Sequence, residues 1–352
     1  MFTEHLVKIT HYHKEISEFQ SGGKPTPRRI QIDPVSFCNH DCPFCTYRYT
    51  RDKDVNALFD LKDMIPYNKM IEIFNDCAKS GVKAIELTGG GEPSLHPRFV
   101  DLLKALNDKE LEIGLITNGA WRSKDMMGAI RELRNAEWVR FSLDAATAET
   151  HQITHASKRD DFDRAIGAIK YLIGHRATVG ISFIVQKQNV HEIRDAVHLA
   201  EELGVDYIRI GGVMFEGERI DHIELSLEKH EETVELVQEL VKTADVEVWD
   251  NFTDRSCADY GVYNEGDTCF LSYLALTIGA DLRVYPCCIW KYRPDGVIAD
   301  LNDVRLSEVW ENGLLDKFYE KFDLKEKCVR CFFKDKNDFI AQALNSRHVN
   351  FI

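Results

Sequence analysis

Three closely spaced cysteines carry the most specific chemistry in this chain. Cys38-Asn39-His40-Asp41-Cys42-Pro43-Phe44-Cys45 is a C-x3-C-x2-C run. Thiolates this near one another wrap a single soft metal centre, and three of them cannot complete the ligation of a four-iron cubane. A [4Fe–4S] cluster held this way keeps one iron free of protein and open to a small molecule. Zinc competes for the same thiols, although its structural sites take four protein ligands and His40 sits awkwardly between two cysteines. Simple burial of the cysteines in a core is the third reading. Far downstream stand Cys269, the adjacent Cys287 and Cys288, and the C-x2-C pair Cys328 and Cys331, with Cys257 ahead of them. Two distant cysteines plus a C-x2-C pair make a four-thiolate site, suited to an iron–sulfur cluster or to zinc. Between the two sets lies Thr88-Gly89-Gly90-Gly91-Glu92-Pro93. A backbone without side chains exposes N–H groups to a carboxylate, and Glu92 can engage a cation; the same residues also make an ordinary turn. Cys77 falls on the apolar face of a helical stretch and reads as core.

Such residues need a scaffold, and the flanking pattern supplies one. Strand-like apolar runs at Ile30–Ser36, Val82–Thr88, Leu111–Thr117, Trp138–Leu143, Thr178–Val185 and Tyr207–Gly211 alternate with helical periodicity. The helical stretches are Tyr67–Lys79, Arg98–Asn107, Lys124–Arg134, Phe162–Leu172 and Glu192–Leu203. Six β/α units predict a parallel sheet covered by helices, too few for a closed eight-stranded barrel. The first cysteine run leaves the end of the first strand, and the glycine run ends the second. Beyond about Gly217 the pattern changes. An acidic helix over Leu225–Lys242 and a short strand at Val246–Trp249 precede the cysteine-rich end. There Leu276–Ile278 and Arg283–Tyr285 flank Gly279–Asp281 as a hairpin. Pro286 ends that second strand, which turns Cys287 inward and Cys288 to the opposite face. A helix starting at Ser307 then returns the chain to Cys328 and Cys331. The boundaries expected are an extension over 1–28, the barrel over 29–225, a connector over 226–255 and the cysteine-rich domain over 256–352.

Composition narrows the class. The chain has 352 residues, 44% of them hydrophobic, and a net charge of −14 from 58 acidic and 44 basic side chains. That field works against an extended nucleic-acid or anionic-membrane surface. No run of 18 apolar residues and no signal-peptide core occurs, so a cytoplasmic protein is expected. Ten cysteines in that setting argue for metal ligands over disulfides.

The first motif, with Phe44 at the usual aromatic place before the last cysteine, resembles the cluster motif of the radical S-adenosylmethionine (radical SAM) enzymes. The resemblance implies a partial (β/α)6 barrel of the TIM type whose chemistry lies at the C-terminal ends of the strands. It implies that Cys38, Cys42 and Cys45 hold a [4Fe–4S] cluster whose open iron is chelated by the amino and carboxylate groups of S-adenosylmethionine (SAM). The backbone of Gly89, Gly90 and Gly91, with Glu92, would bind the SAM amine. Asn118 and Ser142 would contact its methionine and ribose, and Asp144 would face either SAM or substrate. The strand ends at Gln186–Asn189 and Gly211–Met214 would close over adenine and the substrate pocket. The cysteine-rich end resembles the SPASM/Twitch extensions of the same enzymes, with Cys269-x9-Gly279 as its opening. By that resemblance Cys269, Cys287, Cys328 and Cys331 ligate one auxiliary [4Fe–4S] cluster. Cys257 is a spare thiol: an alternative ligand, a hydrogen-atom donor, or merely buried. The implied activity is reductive SAM cleavage followed by hydrogen abstraction, with net oxidation of a C–H bond in a small molecule as the favoured outcome. The electron would come from a reductant such as flavodoxin or ferredoxin. Redox-neutral epimerisation or rearrangement, peptide modification, and a non-catalytic zinc protein are the alternatives.

Overall fold

The structure, a computed structural model, describes residues 8–47, 56–213, 223–253, 261–328, 331 and 333–345. Among these residues ten strands form one sheet in the order β10-β9-β8-β1-β2-β3-β4-β5-β6-β7. They are β1 (Arg29–Ile32), β2 (Ala84–Leu87), β3 (Glu112–Thr117), β4 (Ala136–Ser142), β5 (Thr178–Val185), β6 (Tyr207–Gly212), β7 (Glu247–Asn251), β8 (Ala275–Ile278), β9 (Arg283–Tyr285) and β10 (Ala299–Asp300). Neighbours from β8 through β1 to β7 are parallel, while β9 and β10 are antiparallel additions. The six β/α units expected from the pattern form the partial barrel, and β7 extends it by a further parallel strand.

Alternation along each strand divides the residues between two faces. Ile30, Ile32, Ile85, Leu87, Val139 and Phe141 are buried beneath the outer helices. The helix Tyr67–Ser80 meets them with Met70, Ile73, Phe74 and Cys77, so Cys77 is a core residue as the sequence indicates. Opposite, the inner face is mostly polar. Ser142, Ser182 and Arg209 stand in register there. Below them Gly180 leaves room for the Tyr207 ring: a Cβ would lie 2.1 Å from it. Tyr207 in turn stacks on Trp249 at 3.7 Å between ring centroids. A protein whose sheet hides apolar side chains outward and turns polar ones inward keeps its lumen for chemistry.

Two differences from the sequence reading matter. β1 stops at Ile32 because Asp33 and Pro34 follow, and proline has no N–H for a ladder. A helix that the apolar periodicity did not announce, Ala148–His155, follows β4; Thr147 caps it by accepting from the Thr150 N–H at 3.2 Å. Among the described residues no helix is long and apolar enough to cross a membrane.

Candidate active site and metal centres

The cysteine loop leaves β1 under tight backbone control. The Ile65 N–H donates to the Pro34 carbonyl at 3.0 Å and the Ser36 N–H to Asp63 at 2.9 Å. Within the loop the His40 N–H points at Cys38 Sγ at 3.4 Å, and the Cys45 N–H bonds to the Cys42 carbonyl at 3.0 Å. Burial, then the neighbouring Cys45 and Cys38 thiols, push the Cys42 thiol well up, so the three sulfurs share one small volume. Three convergent thiols with a backbone donor beside them match the ligand set of a cubane with one open iron. Phe44 lies over this loop, its ring edge-on to His155 at 6.3 Å.

The glycine run serves close packing as much as ligand access. A Cβ on Gly91 would lie 2.0 Å from the Phe37 carbonyl oxygen, and one on Gly90 would lie 2.6 Å from the Phe59 ring. Gly89 folds back so that its Cβ would meet the Gly91 carbonyl. The Gly91 and Glu92 N–H groups bond to the Val35 and Phe37 carbonyls, lacing the β2 loop onto the cysteine loop. Glu92 is 3% exposed. Its Oε1 accepts from Thr117 Oγ1 at 2.7 Å and from the Ser94 N–H at 3.1 Å, and its Oε2 accepts from the Asn118 N–H at 2.8 Å. The carboxylate therefore anchors the end of β3. Asn118, so held, reaches across to the cysteine loop, with Nδ2 donating to Asn39 Oδ1 at 2.9 Å and lying 3.9 Å from Cys38 Sγ.

Ser142 ends β4 on the inner face. Asp144, two residues on, turns away from it, with φ +51° and 1% exposure. Its Oδ1 accepts from the Ile184 N–H at 2.6 Å, and its Oδ2 lies 3.3 Å from His155 Nε2. Burial lifts this carboxyl to about 7. His155 closes a group that the sequence reading missed. His40, His151 and His155 are all buried, with ring nitrogens within 4.8 Å of one another. Burial drives all three rings towards the neutral form. The spacing suits a metal, but both His155 nitrogens are engaged: Nδ1 lies 3.3 Å from Cys42 Sγ, and Nε2 lies 3.1 Å from the Leu143 carbonyl. The His151 and His155 rings also stack at 4.3 Å. The available signal was the i, i+4 histidine pair behind a Thr-x-x-Thr cap, which places both rings on one helical face.

The second thiol set gathers on an apolar floor. Cys269, Cys287, Cys328 and Cys331 pack against Tyr263, Trp290, Phe322 and Leu324. Burial raises the Cys287 thiol, and beyond its neighbour Cys288 the next contribution is Cys269; Cys328 and Cys331 are likewise raised by burial and by Cys269. Cys288 is not among the residues packed on this floor; Lys291, Arg29 and Glu86 act on its thiol, and it in turn acts on Cys287 and Cys331. Four thiols around one apolar hollow fit a fully ligated cluster. Cys257 lies outside the described residues.

One buried network joins the two regions. Asp33 Oδ2, at the end of β1, meets Lys291 Nζ at 2.5 Å, accepts from Tyr292 Oη at 2.9 Å, and accepts from the Gly90 N–H at 2.8 Å. The ammonium also lies 4.8 Å from the centre of the Tyr47 ring. Lys291 is 1% exposed and Asp33 is fully buried. Burial alone would lower the Lys291 pKa, but Asp33 and Tyr47 outweigh it and raise it. No local spacing links residues 33 and 291, so the sequence carried no sign of this pair.

Comparison with known proteins agrees with this architecture. The chain matches the radical SAM superfamily over residues 32–200 and an iron–sulfur cluster-binding (SPASM) domain over residues 269–332. It is 23% identical over 338 residues to the tungsten-containing aldehyde ferredoxin oxidoreductase cofactor-modifying protein of Pyrococcus furiosus, covering 88% of this chain and 89% of that one. It is also 23% identical over 320 residues to the PqqA peptide cyclase of Gluconobacter oxydans, covering 88% and 84%. In fold it is similar to Streptococcus suis SuiB bound to the precursor peptide SuiA, with TM-score 0.66, 16% identity and coverage of 94% of this chain and 75% of that one. The shared domains bring [4Fe–4S] clusters and SAM as cofactors. With a cysteine loop at the top of a partial barrel and a second thiol set at its C-terminal end, the chain belongs to the radical SAM superfamily and carries a SPASM-type domain.

Proposed function

We propose that this radical SAM enzyme oxidises an unactivated C–H position of a substrate held over the lumen, using two clusters in succession. Cys38, Cys42 and Cys45 would hold the first, leaving one iron for the amino and carboxylate groups of SAM. Cys269, Cys287, Cys328 and Cys331 would hold the second. When bound and reduced by one electron, the first cluster with SAM supplies a 5′-deoxyadenosyl radical that takes a hydrogen atom. The chain's own residues position and shield. Asn118 steadies the cysteine loop, Glu92 fixes Asn118, and Ser142 offers a hydroxyl to the lumen near the strand ends. The observation that carries the oxidative reading is the second thiol set, whose four sulfurs leave no iron free to bind substrate and so suit an electron acceptor. In the redox-neutral alternative the electron returns to the substrate, and the second thiol set has no such task.

For the substrate, a small molecule is the reading from the sequence, and a peptide side chain is the second. The PqqA peptide cyclase and the SuiB–SuiA complex favour the peptide. Anaerobically reconstituted protein with SAM and a low-potential reductant, flavodoxin or dithionite, tests the whole reading. About eight iron and eight sulfide per chain are expected, with steady 5′-deoxyadenosine formation. Replacing Cys38, Cys42 and Cys45 together by Ala is expected to abolish that product while about four iron remain. Product at the wild-type rate in the triple variant refutes the assignment. Deuterium transfer into 5′-deoxyadenosine, from labelled peptides on one side and labelled metabolites on the other, separates the two substrate classes.

A further inference from the structure

We propose that a lysine-lined groove on the cysteine-rich domain is the docking site for an acidic one-electron carrier, a protein of the flavodoxin or ferredoxin kind, which takes up the electron collected at the second thiol set. The inference rests on the reading of Cys269, Cys287, Cys328 and Cys331 as ligands of an electron-accepting cluster.

The groove has a volume of about 460 Å³ and takes its lining from the helix Leu314–Tyr319, the turn after it, the end of the helix Leu324–Lys327 and the loop around Asp295. The Phe322 N–H donates to the Phe318 carbonyl at 3.1 Å, so the helical path runs on past Tyr319. Residues four apart on such a path share a face, which sets Lys317 with Lys321 and Phe318 with Phe322 along the groove. Phe318 stacks on Phe322 at 4.7 Å between ring centroids, and Phe322 meets Trp290 edge-on, also at 4.7 Å. Phe322 and Trp290 belong to the apolar floor on which Cys269, Cys287, Cys328 and Cys331 pack. One ring therefore serves the groove on one side and the thiol set on the other. The main chain links them as well: Lys327 lines the groove, and Cys328 is the next residue.

Charge is sorted by face here. Residues 314–327 hold four acids and four lysines, so the segment as a whole is neutral. Asp316 turns away from the groove, accepting from Tyr273 Oη at 2.6 Å and meeting Lys24 Nζ at 2.9 Å. Asp323 caps the helix Leu324–Lys327, accepting from the Lys325 N–H at 2.8 Å. Neither lines the groove, and Glu320 and Glu326 do not line it either. The acid that does, Asp295, pairs with Lys327 at 2.8 Å. Lys317 and Lys321 are exposed and, among the described residues, stand in no ion pair. A cationic groove on a chain of net charge −14 attracts an acidic surface that the rest of the molecule repels. A small anion would satisfy the lysines alone, whereas a carrier protein also covers the aromatic floor that leads to the thiols. The electron balance closes. The substrate, after losing a hydrogen atom, gives one electron to the second cluster and a proton to solvent. The cluster returns to its oxidised state as the oxidised carrier gains that electron.

Full-length, anaerobically reconstituted protein and oxidised flavodoxin carry the test. Carbodiimide joins lysine amines to carboxylates in contact with them. Mass spectrometry of the digested product is expected to find Lys317 and Lys321 joined to flavodoxin, with a yield that falls as salt screens the contact. In a second measurement, protein reduced with dithionite and freed of excess reductant is mixed with oxidised flavodoxin. Freeze-quenched electron paramagnetic resonance then follows the signal of the second cluster. Lys317→Glu combined with Lys321→Glu is expected to slow its decay roughly tenfold or more at low ionic strength, with iron per chain unchanged. Lys79→Glu combined with Lys104→Glu makes the same change of charge on two outer helices of the barrel and is expected to keep the wild-type rate. Absence of cross-links at Lys317 and Lys321, or a wild-type decay in their double variant, overturns the proposal. Equal slowing in both double variants overturns it too, since net charge alone then accounts for the effect. If the Glu variant loses iron, Lys317→Gln combined with Lys321→Gln decides by the same decay, and a wild-type rate there overturns it. Wild-type protein that takes no iron at the second thiol set instead refutes the reading beneath the proposal, so the two failures are distinct.

Discussion

Glu92 shows how a side chain's partners determine what its loss would do. Its two oxygens serve Thr117, the Asn118 N–H and the Ser94 N–H, all at or near the cysteine loop. Glu92→Ala leaves buried donors without an acceptor, at a cost of about 1–3 kcal/mol for each that finds no substitute. The melting temperature of the holoprotein should fall, and SAM affinity should weaken with it because Asn118 loses its anchor. If affinity falls while thermal stability holds, Glu92 touches SAM directly. The cysteines of the second site give a sharper contrast. Cys287 packs with Cys269, Cys328 and Cys331 on one apolar cluster, which Cys288 does not join. Cys287→Ala should lose about four iron per chain and Cys288→Ala none, as counted by colorimetric iron assay. Equal iron in both variants would mean that the hairpin register argued from Pro286 is wrong.

Among the elements, loops are fixed by contact more than by intrinsic preference. Gly91 has no space for a methyl group against Phe37, whereas Gly167, inside the helix Arg159–Leu172, has nothing within 4 Å of where its Cβ would lie. Gly91→Ala should displace the cysteine loop and reduce iron at the first site, leaving the second intact. Gly167→Ala should stabilise the protein by about 0.4–1 kcal/mol, because it restricts only the unfolded chain; paired thermal melts check both. The sequence announced the strands other than β10, a two-residue strand, and most helices because their apolar residues recur at periods of two and 3.6. It was silent on Ala148–His155 for a physical reason: the face that helix buries is Thr150, His151, Thr154 and His155. A polar buried face has no apolar period to detect. The first cysteine motif was legible because its ligands are neighbours in sequence, and the second because a C-x2-C pair follows two further cysteines in one cysteine-rich segment. The partners of Glu92 and Asp144 were not, because they arrive from other strands.

Across the whole molecule, the buried pair Asp33–Lys291 couples the first strand to the cysteine-rich end. Removing one partner of such a pair strands a charge and typically costs about 3–5 kcal/mol. Lys291→Met should therefore destabilise strongly, and Asp33→Asn combined with Lys291→Met should recover much of the loss, since no isolated charge remains. Chemical or thermal denaturation of the single and double variants measures the coupling. Additive effects would show that the two groups do not act as a pair.

The pairing of β8 with β1 also sets an order of assembly. β1 leaves the ribosome before β2, which then satisfies one of its edges. Its other edge waits for Ala275–Ile278, made long after β2. During that interval the nascent chain presents an unpaired strand edge, a template for pairing with the wrong partner. The same gap leaves the cysteine loop approachable from that side before Lys291 and Tyr292 close over Asp33. The segment that closes over Asp33 is thus made long after the loop it helps to hold.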